Sequence, residues 1–316
     1  MQTNDNLPTR EEVLDAAERV RGLVERTPLT EVRFGGHRLW LKCESLQTGG
    51  SFKLRGASNR LALLNEAERK AGVVAFSSGN HAQGVAIAAR RLGVPATIVM
   101  PSDAPAPKVE GTRAQGADIV FYDRRTEDRV AIAAALAAER GGVVVPSFDD
   151  RHIIAGQGTA GLEIADQCPE PVRRIVVCCG GGGLAAGLAL ACPEAGMVIV
   201  EPEGWDDMGR SLALGHIVPV APDAPPTACD ALQTPLVSPL TFGVLRQRGA
   251  AARSVTEAEV RAAVRFAWHE LGLLVEPGGS AALAAVLAGK VELEPGTVVM
   301  LTGGNMDPAI HAEWVA

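Results

Sequence analysis

Five lysines occur in the 316 residues, Lys42, Lys53, Lys70, Lys108 and Lys290, so each can be judged by its own neighbours. Lys53 follows Thr48-Gly49-Gly50-Ser51 and lies between Phe52 and Leu54, a setting that argues for burial. Burial disfavours the ammonium form, and a neutral amine is what addition to a carbonyl requires. On this segment alone, a lysine snorkelling from a helix start is the plainer explanation. Ser77-Ser78-Gly79-Asn80-His81 sits between an apolar run and an Ala-rich stretch. Small hydroxyls and a glycine at such a turn leave backbone N–H groups free for a carboxylate, although an ordinary N-cap at Ser78 or Asn80 looks the same. Cys179-Gly180-Gly181-Gly182-Gly183-Leu184 repeats the strand-to-helix arrangement with four glycines, which removes every Cβ between a phosphate and the helix amides. Neither a clean G-x-G-x-x-G spacing nor a following Lys-Ser/Thr is present, which argues against dinucleotide and triphosphate loops. Thr302, in Leu301-Thr302-Gly303-Gly304-Asn305, closes the last apolar run and puts a hydroxyl where ligands of open α/β sheets bind. Glu201-Pro202-Glu203-Gly204-Trp205-Asp206-Asp207 gathers four acids, either an oxygen-ligand cation site or a solvated turn, and residue chemistry alone leans toward the turn.

A buried amine, a phosphate cup, a Ser-Ser-Gly-Asn-His turn and a hydroxyl after the last strand together suit one cofactor. It must carry an aldehyde, a phosphate and a pyridine nitrogen, which describes pyridoxal 5′-phosphate. The elements that would position these groups follow a βαβ rhythm from about residue 71. GVVAFSS, ATIVM, ADIVFY, GVVVPSF, RRIVVCC, MVIVEP and TVVMLTGG read as strands, separated by Ala-rich helices. Strands this uniformly apolar are buried on both faces, as in a parallel sheet covered by helices, so the fold class is doubly wound α/β. The length favours two αβ lobes with a cleft between them: residues 1–66 with 148–316 as the larger, and 70–147 as a smaller inserted lobe.

Composition narrows the function classes. A formal charge of −7 and a pI of about 5.5 disfavour a nucleic-acid partner, whose phosphates call for a basic patch. No N-terminal apolar region and no long apolar run suggests a leader or a membrane span, so a cytoplasmic protein is expected. The six cysteines show no C-x-x-C pairing and read as reduced core thiols.

The order and wording of SFKLRGA, SSGNHAQG, AGQGTAGLEI, CGGGGLAAG, VEPEG, EPGGSAAL and TGGN resemble the serine/threonine dehydratase and serine racemase family of fold-type-II pyridoxal-phosphate enzymes, across nearly the whole chain. The resemblance implies Lys53 as the Schiff-base lysine, with Phe52 flanking the ring and Asn80 near the coenzyme's 3′-oxygen. It further implies Gly180, Gly181, Gly182, Gly183 and Leu184 as the phosphate loop and Thr302 opposite the pyridine nitrogen. Ser77, Ser78 and His81 resemble the turn that holds the substrate carboxylate, with Thr234 as a further hydroxyl nearby. Glu201, Asp207 and the Trp205 carbonyl resemble ligands of a divalent cation, Mg²⁺, Ca²⁺ or Mn²⁺. A homodimer acting on a small amino acid is implied as well. Two departures bear on substrate fit: Ala231 in CDALQTP, and Ala82 in SSGNHAQG, both where relatives usually have glycine.

The expected reaction is β-elimination from L-serine, L-threonine or 3-hydroxyaspartate, with Lys53 removing the Cα proton. Racemisation follows instead if Ser78 returns a proton. Arg129, in TEDRVAI, stands where a second carboxylate could be met, though an ordinary helix arginine is the simpler reading. A nicotinamide oxidoreductase, which would be colourless where a pyridoxal-phosphate enzyme is yellow, and a non-catalytic amino-acid-binding module, which would have no use for Lys53, are the competing classes.

Overall fold

The computed structural model describes residues 7–104 and 106–316. In chain order the elements are α1 (Arg10–Arg19), β1 (Leu29–Phe34), β2 (His37–Cys43), α2 (Lys53–Ala62), α3 (Glu66–Ala71), β3 (Val73–Phe76), α4 (Asn80–Leu92), β4 (Ala96–Pro101), α5 (Ala106–Arg113), β5 (Asp118–Tyr122), α6 (Arg129–Arg140) and β6 (Val143–Val144). There follow α7 (Arg151–Gln167), β7 (Arg174–Cys178), α8 (Gly183–Ala191), β8 (Gly196–Pro202), α9 (Asp207–Leu214), α10 (Pro239–Gln247), β9 (Ala251–Val255), α11 (Glu257–Leu271), α12 (Pro277–Leu287), β10 (Thr297–Leu301) and α13 (Pro308–Val315).

The strands form two sheets. The larger runs β1-β2-β10-β7-β8-β9 and is parallel except for the β1–β2 hairpin, and the smaller, wholly parallel, runs β5-β4-β3-β6. Period-two alternation divides each strand between two helical layers. Val298 and Met300 of β10 join Ile175 and Val177 of β7 in a cluster that includes residues of α1, α7, α8 and α10. Val299 and Leu301 join Val176 and Cys178 in the cluster on the other face, with α11 and α12. The smaller sheet repeats the scheme, with Val73, Ala75, Ile98 and Met100 toward α2 and α4, and Val74 and Val99 toward α6. The apolar runs therefore become strands covered on both faces, as their composition predicts.

Helix starts fall into two kinds. The amides opening α6, α7 and α11 are capped by Asp128, Asp150 and the Thr256/Glu259 pair. No side-chain cap is found on α2, α4, α8 or α12. These four begin around the groove where β7 and β10 end.

Candidate active site

Lys53 opens a helix with two different faces. Leu54, Ala57 and Leu61, at i, i+3 and i+7, pack in the apolar cluster beneath the smaller sheet. Arg55, Gly56 and Asn59 face α7, through Glu163, Gln157 and the His152 carbonyl. The chain before the helix is zipped to the segment after β10. Ser51 bridges to Gly303, the Phe52 N–H donates to the Thr302 carbonyl at 3.2 Å, and the Gly304 N–H donates to the Gly50 carbonyl at 2.9 Å. Lys53 and Thr302, far apart in sequence, are thereby fixed to each other.

The Lys53 ammonium donates to the Ser147 carbonyl at 3.3 Å and lies 5.1 Å from the centre of the Phe52 ring. Burial pulls its pKa down to about 8, against the opposing pull of Cys178 and Glu276. A far larger fraction of the amine is thus unprotonated near neutral pH than for a free lysine. By accessible surface Lys53 is half-buried, as is Phe52 beside it, whereas Leu54 is buried.

Opposite it, β7 runs out at Cys178 into the glycine loop. Gly182 holds φ +83° just before α8, a conformation that side chains rarely tolerate, and a Cβ on Gly181 would overlap the Phe148 ring. The loop amides and the uncapped start of α8 are left bare toward a cavity lined by Phe52, Lys53, Asn80, Gly180, Gly181, Gly182, Gly183, Leu184, Thr234 and Thr302. An anion placed there would meet N–H donors and the positive end of a helix.

The cavity also contains residues outside the expected site, Ser147, Phe148, Cys178 and Glu276, the last of them opening the EPGGSAAL string. Asn80 Nδ2 donates to Glu276 Oε1 at 2.5 Å, and Asn80 Oδ1 accepts from Asn305 Nδ2 at 2.8 Å, which fixes which way the Asn80 amide points. Burial, with Asp230 nearby, pushes Glu276 up to about 7, against the Asn80 bond. Across the cleft, Lys108 of α5 pairs with Asp230 at 2.8 Å, beside the cavity-lining Ala231.

Four residues expected at the substrate site lie outside the cavity lining. Ser77 and Ser78 are half-buried at the uncapped start of α4, with Ser77 Oγ accepting from the Gly79 N–H at 3.1 Å. His81 is buried beneath that turn, and its Nε2 meets the Val145 carbonyl at 2.8 Å. Burial, with the Lys53 charge adding to it, lowers the His81 pKa to about 3, so the ring is neutral and Nε2 is the donor. His81 therefore supports the turn from below. Arg129 is exposed, with its guanidinium 5.7 Å from the centre of the Phe76 ring, the residue leading into Ser77. In the acidic turn, Glu201 and Asp207 are both 1% exposed. Glu201 accepts from the Met208 and Gly209 N–H groups, and Asp207 from that of Val237. Among the described residues no cluster of three or more His, Cys, Asp or Glu side chains is gathered for a metal.

Pyridoxal phosphate fits this donor set: an amine of lowered pKa, a bare amide cradle for a dianion, and an amide and a hydroxyl for ring heteroatoms. The comparisons agree. A family model for pyridoxal-phosphate dependent enzymes matches residues 20–304. The chain is 44% identical over 310 residues to an L-threo-3-hydroxyaspartate ammonia-lyase of a Pseudomonas species, covering 95% of this chain and 96% of that one. It is 38% identical over 325 residues to a serine racemase of Schizosaccharomyces pombe, covering 100% of each. The structure of maize serine racemase superposes with a TM-score of 0.91 at 33% identity, covering 97% of this chain and 96% of that one. With its lysine, its glycine cradle and nearly all of its length accounted for in this way, the chain belongs to the family of pyridoxal-phosphate-dependent enzymes.

Proposed function

We propose that this chain is an ammonia-lyase that eliminates water from small β-hydroxy amino acids such as L-serine, L-threonine and 3-hydroxyaspartate, giving a 2-oxo acid and ammonia. The observation that carries the reading is the Lys53 amine, held near neutrality in one cavity with the bare glycine loop. When bound, pyridoxal phosphate supplies an aldehyde for the substrate amine and a ring that draws electrons from Cα. The glycine amides grip the phosphate, and Asn80 and Thr302 hold the ring by its oxygen and nitrogen. The Lys53 amine would hold the coenzyme's aldehyde and would take the Cα proton of the substrate. Ser77, Ser78 and the uncapped start of α4 receive the substrate carboxylate, with Thr234 beside it. Overall, the β-hydroxyl would depart as water, carrying a proton equivalent to the one removed from Cα, and hydrolysis would give the 2-oxo acid and ammonia.

Within this class we assign 3-hydroxyaspartate as the preferred substrate. Arg129 rests on the ring that leads into the serine turn, and guanidinium suits a second carboxylate. Arg129→Ala is expected to lower kcat/KM for L-threo-3-hydroxyaspartate by about tenfold to a hundredfold while leaving L-serine nearly unchanged, since hydrogen bonds to charged groups contribute about 1.5–3 kcal/mol. Equal losses for both substrates would sink the assignment. Racemisation is the second reading, with Ser78 returning the proton, and the likeness to serine racemases supports it.

The proposal extends to a divalent cation at Glu201, Asp207 and the Trp205 carbonyl. Both carboxylates are buried and neither forms an ion pair among the described residues, while the neighbouring Asp206 pairs with Arg210 at 3.2 Å. Oxygen ligands of this kind suit Mg²⁺, Ca²⁺ or Mn²⁺. Millimolar Mg²⁺ or Ca²⁺ is expected to raise Tm by several degrees and Asp207→Asn to remove the rise, and a Tm indifferent to both ions and to chelator would refute it. The cavity's two sides come from the proposed larger lobe, residues 1–66 and 148–316, and the smaller, 70–147. The same reading includes a homodimer, twice the 32.9 kDa chain in sedimentation, and a cytoplasmic setting, in keeping with six unpaired thiols.

A further inference from the structure

β7 and β10 are parallel neighbours at the centre of the larger sheet, and Cys178 and Thr302 stand side by side where they end. Cys178 Sγ lies 3.1 Å from Thr302 Oγ1, and the two residues are 6% and 3% exposed. Both line the cavity. The Thr302 backbone is already engaged, its N–H with the Gly279 carbonyl and its carbonyl with the Phe52 N–H, each at 3.2 Å. The hydroxyl's single proton is therefore the free choice at this point, and the sulfur is the protein atom that biases it. A thiol is a weak donor and sulfur a weak acceptor, whereas hydroxyl oxygen accepts well. Burial keeps the thiol protonated by pushing its pKa up to about 11. The favoured arrangement has S–H donating to oxygen, which leaves the threonine proton to point elsewhere.

We propose that Cys178 is a positioning residue, whose S–H donates to Thr302 Oγ1 and turns the Thr302 O–H into the cavity, so that it meets the coenzyme's ring nitrogen as a hydrogen-bond donor. A hydroxyl fixed as donor holds that nitrogen unprotonated. The opposite orientation, with the threonine proton on sulfur, would offer a lone pair and stabilise a protonated ring. An unprotonated ring pulls less strongly on Cα, which suits departure of the β-hydroxyl over return of a proton. In the low dielectric of the strand ends, donation from the thiol also polarises the O–H and strengthens its bond to nitrogen. Without this, Cys178 would be one more buried thiol in an apolar layer, interchangeable with valine.

The inference rests on Thr302 facing the ring nitrogen, and its test separates the two claims. Holoenzyme is prepared with coenzyme labelled with ¹⁵N in the ring, and the nitrogen resonance is followed across pH in the native chain and in Cys178→Val, Cys178→Ala and Thr302→Ala. Valine keeps most of the buried volume without a donor, so a role in packing alone leaves its spectrum native. The native resonance is expected at the unprotonated position at every pH. In both Cys178 variants the nitrogen's proton affinity should rise about tenfold, one pH unit, and the coenzyme should dissociate about threefold to tenfold more readily, the scale of one neutral hydrogen bond. A native resonance in Cys178→Val together with a shifted one in Thr302→Ala would overturn the role of Cys178. A native resonance in Thr302→Ala would overturn the placement of Thr302 itself.

Discussion

Lys53→Ala is expected to abolish both the visible absorbance of the lysine-bound coenzyme and the release of ammonia from β-hydroxy amino acids. Two functions disappear with one amine, the covalent anchor for the aldehyde and the base that takes the Cα proton. A positioned acid or base alone is worth about 10²- to 10⁴-fold, so kcat should fall by at least about 10⁴-fold. The helix itself should survive. Leu54, Ala57 and Leu61 still fill the apolar cluster, and alanine is the best helix former. A near-native Tm with no turnover is the expected pair of results. Turnover within tenfold of the native chain would mean that another group takes the proton, and the whole reading of the site would fail.

The largest effect on stability is expected two residues further along the helix. Arg55 is 0% exposed and binds Glu44 through Nε at 2.8 Å and Glu163 through Nη1 at 2.6 Å, while Lys42 reaches Glu163 at 2.5 Å. Burial by itself would raise the Glu44 carboxyl, but the Arg55 charge and its hydrogen bonds hold it below the usual carboxylate range. A carboxyl lowered by folding contributes stability that is present above its unfolded pKa and is lost as pH falls through the folded value. Arg55→Met removes the charge and leaves Glu44 buried without its main partner, at a cost of about 3–5 kcal/mol at pH 7. Because protonation then relieves the stranded carboxylate, the deficit relative to the native chain should shrink toward pH 4. Urea unfolding at the two pH values measures this, and a loss below about 1 kcal/mol at pH 7 would show that the cluster merely breaks even.

Much of this was legible in the chain because burial on both faces leaves a compositional mark. β4, β7, β8 and β10 each carry an uninterrupted apolar run of Val, Ile, Met, Leu or Cys, and the glycine loop announces a bare helix start. The β1–β2 hairpin was not assigned. β1 alternates Leu29, Val32 and Phe34 with Thr30, Glu31 and Arg33 at a half-exposed edge, so it lacks that mark. The two-residue Gly35-Gly36 turn was the available signal. The site divides in the same way. Lys53, Asn80, the glycines and Thr302 each sit in a distinctive local string. Glu276 enters the cavity through a bond to a residue 196 positions away, and no local pattern encodes such a contact. Cys178 looked like filler because a strand-end thiol in a valine run differs from its neighbours only in what the next strand places beside it. His81 follows Asn80 directly, yet helical rotation sends one side chain into the cavity and the other beneath the turn.

The two-faced character of α2 has a consequence for reading variants. Its apolar side is part of the interior of one sheet, while the phosphate cradle grows from the other. A lesion such as Leu61→Ala, remote from any substrate, would loosen the seat of the lysine as well as the core. Its signature would be a Tm lowered in step with about 2–5 kcal/mol of lost packing, together with a loss of turnover greater than that caused by equal core lesions elsewhere.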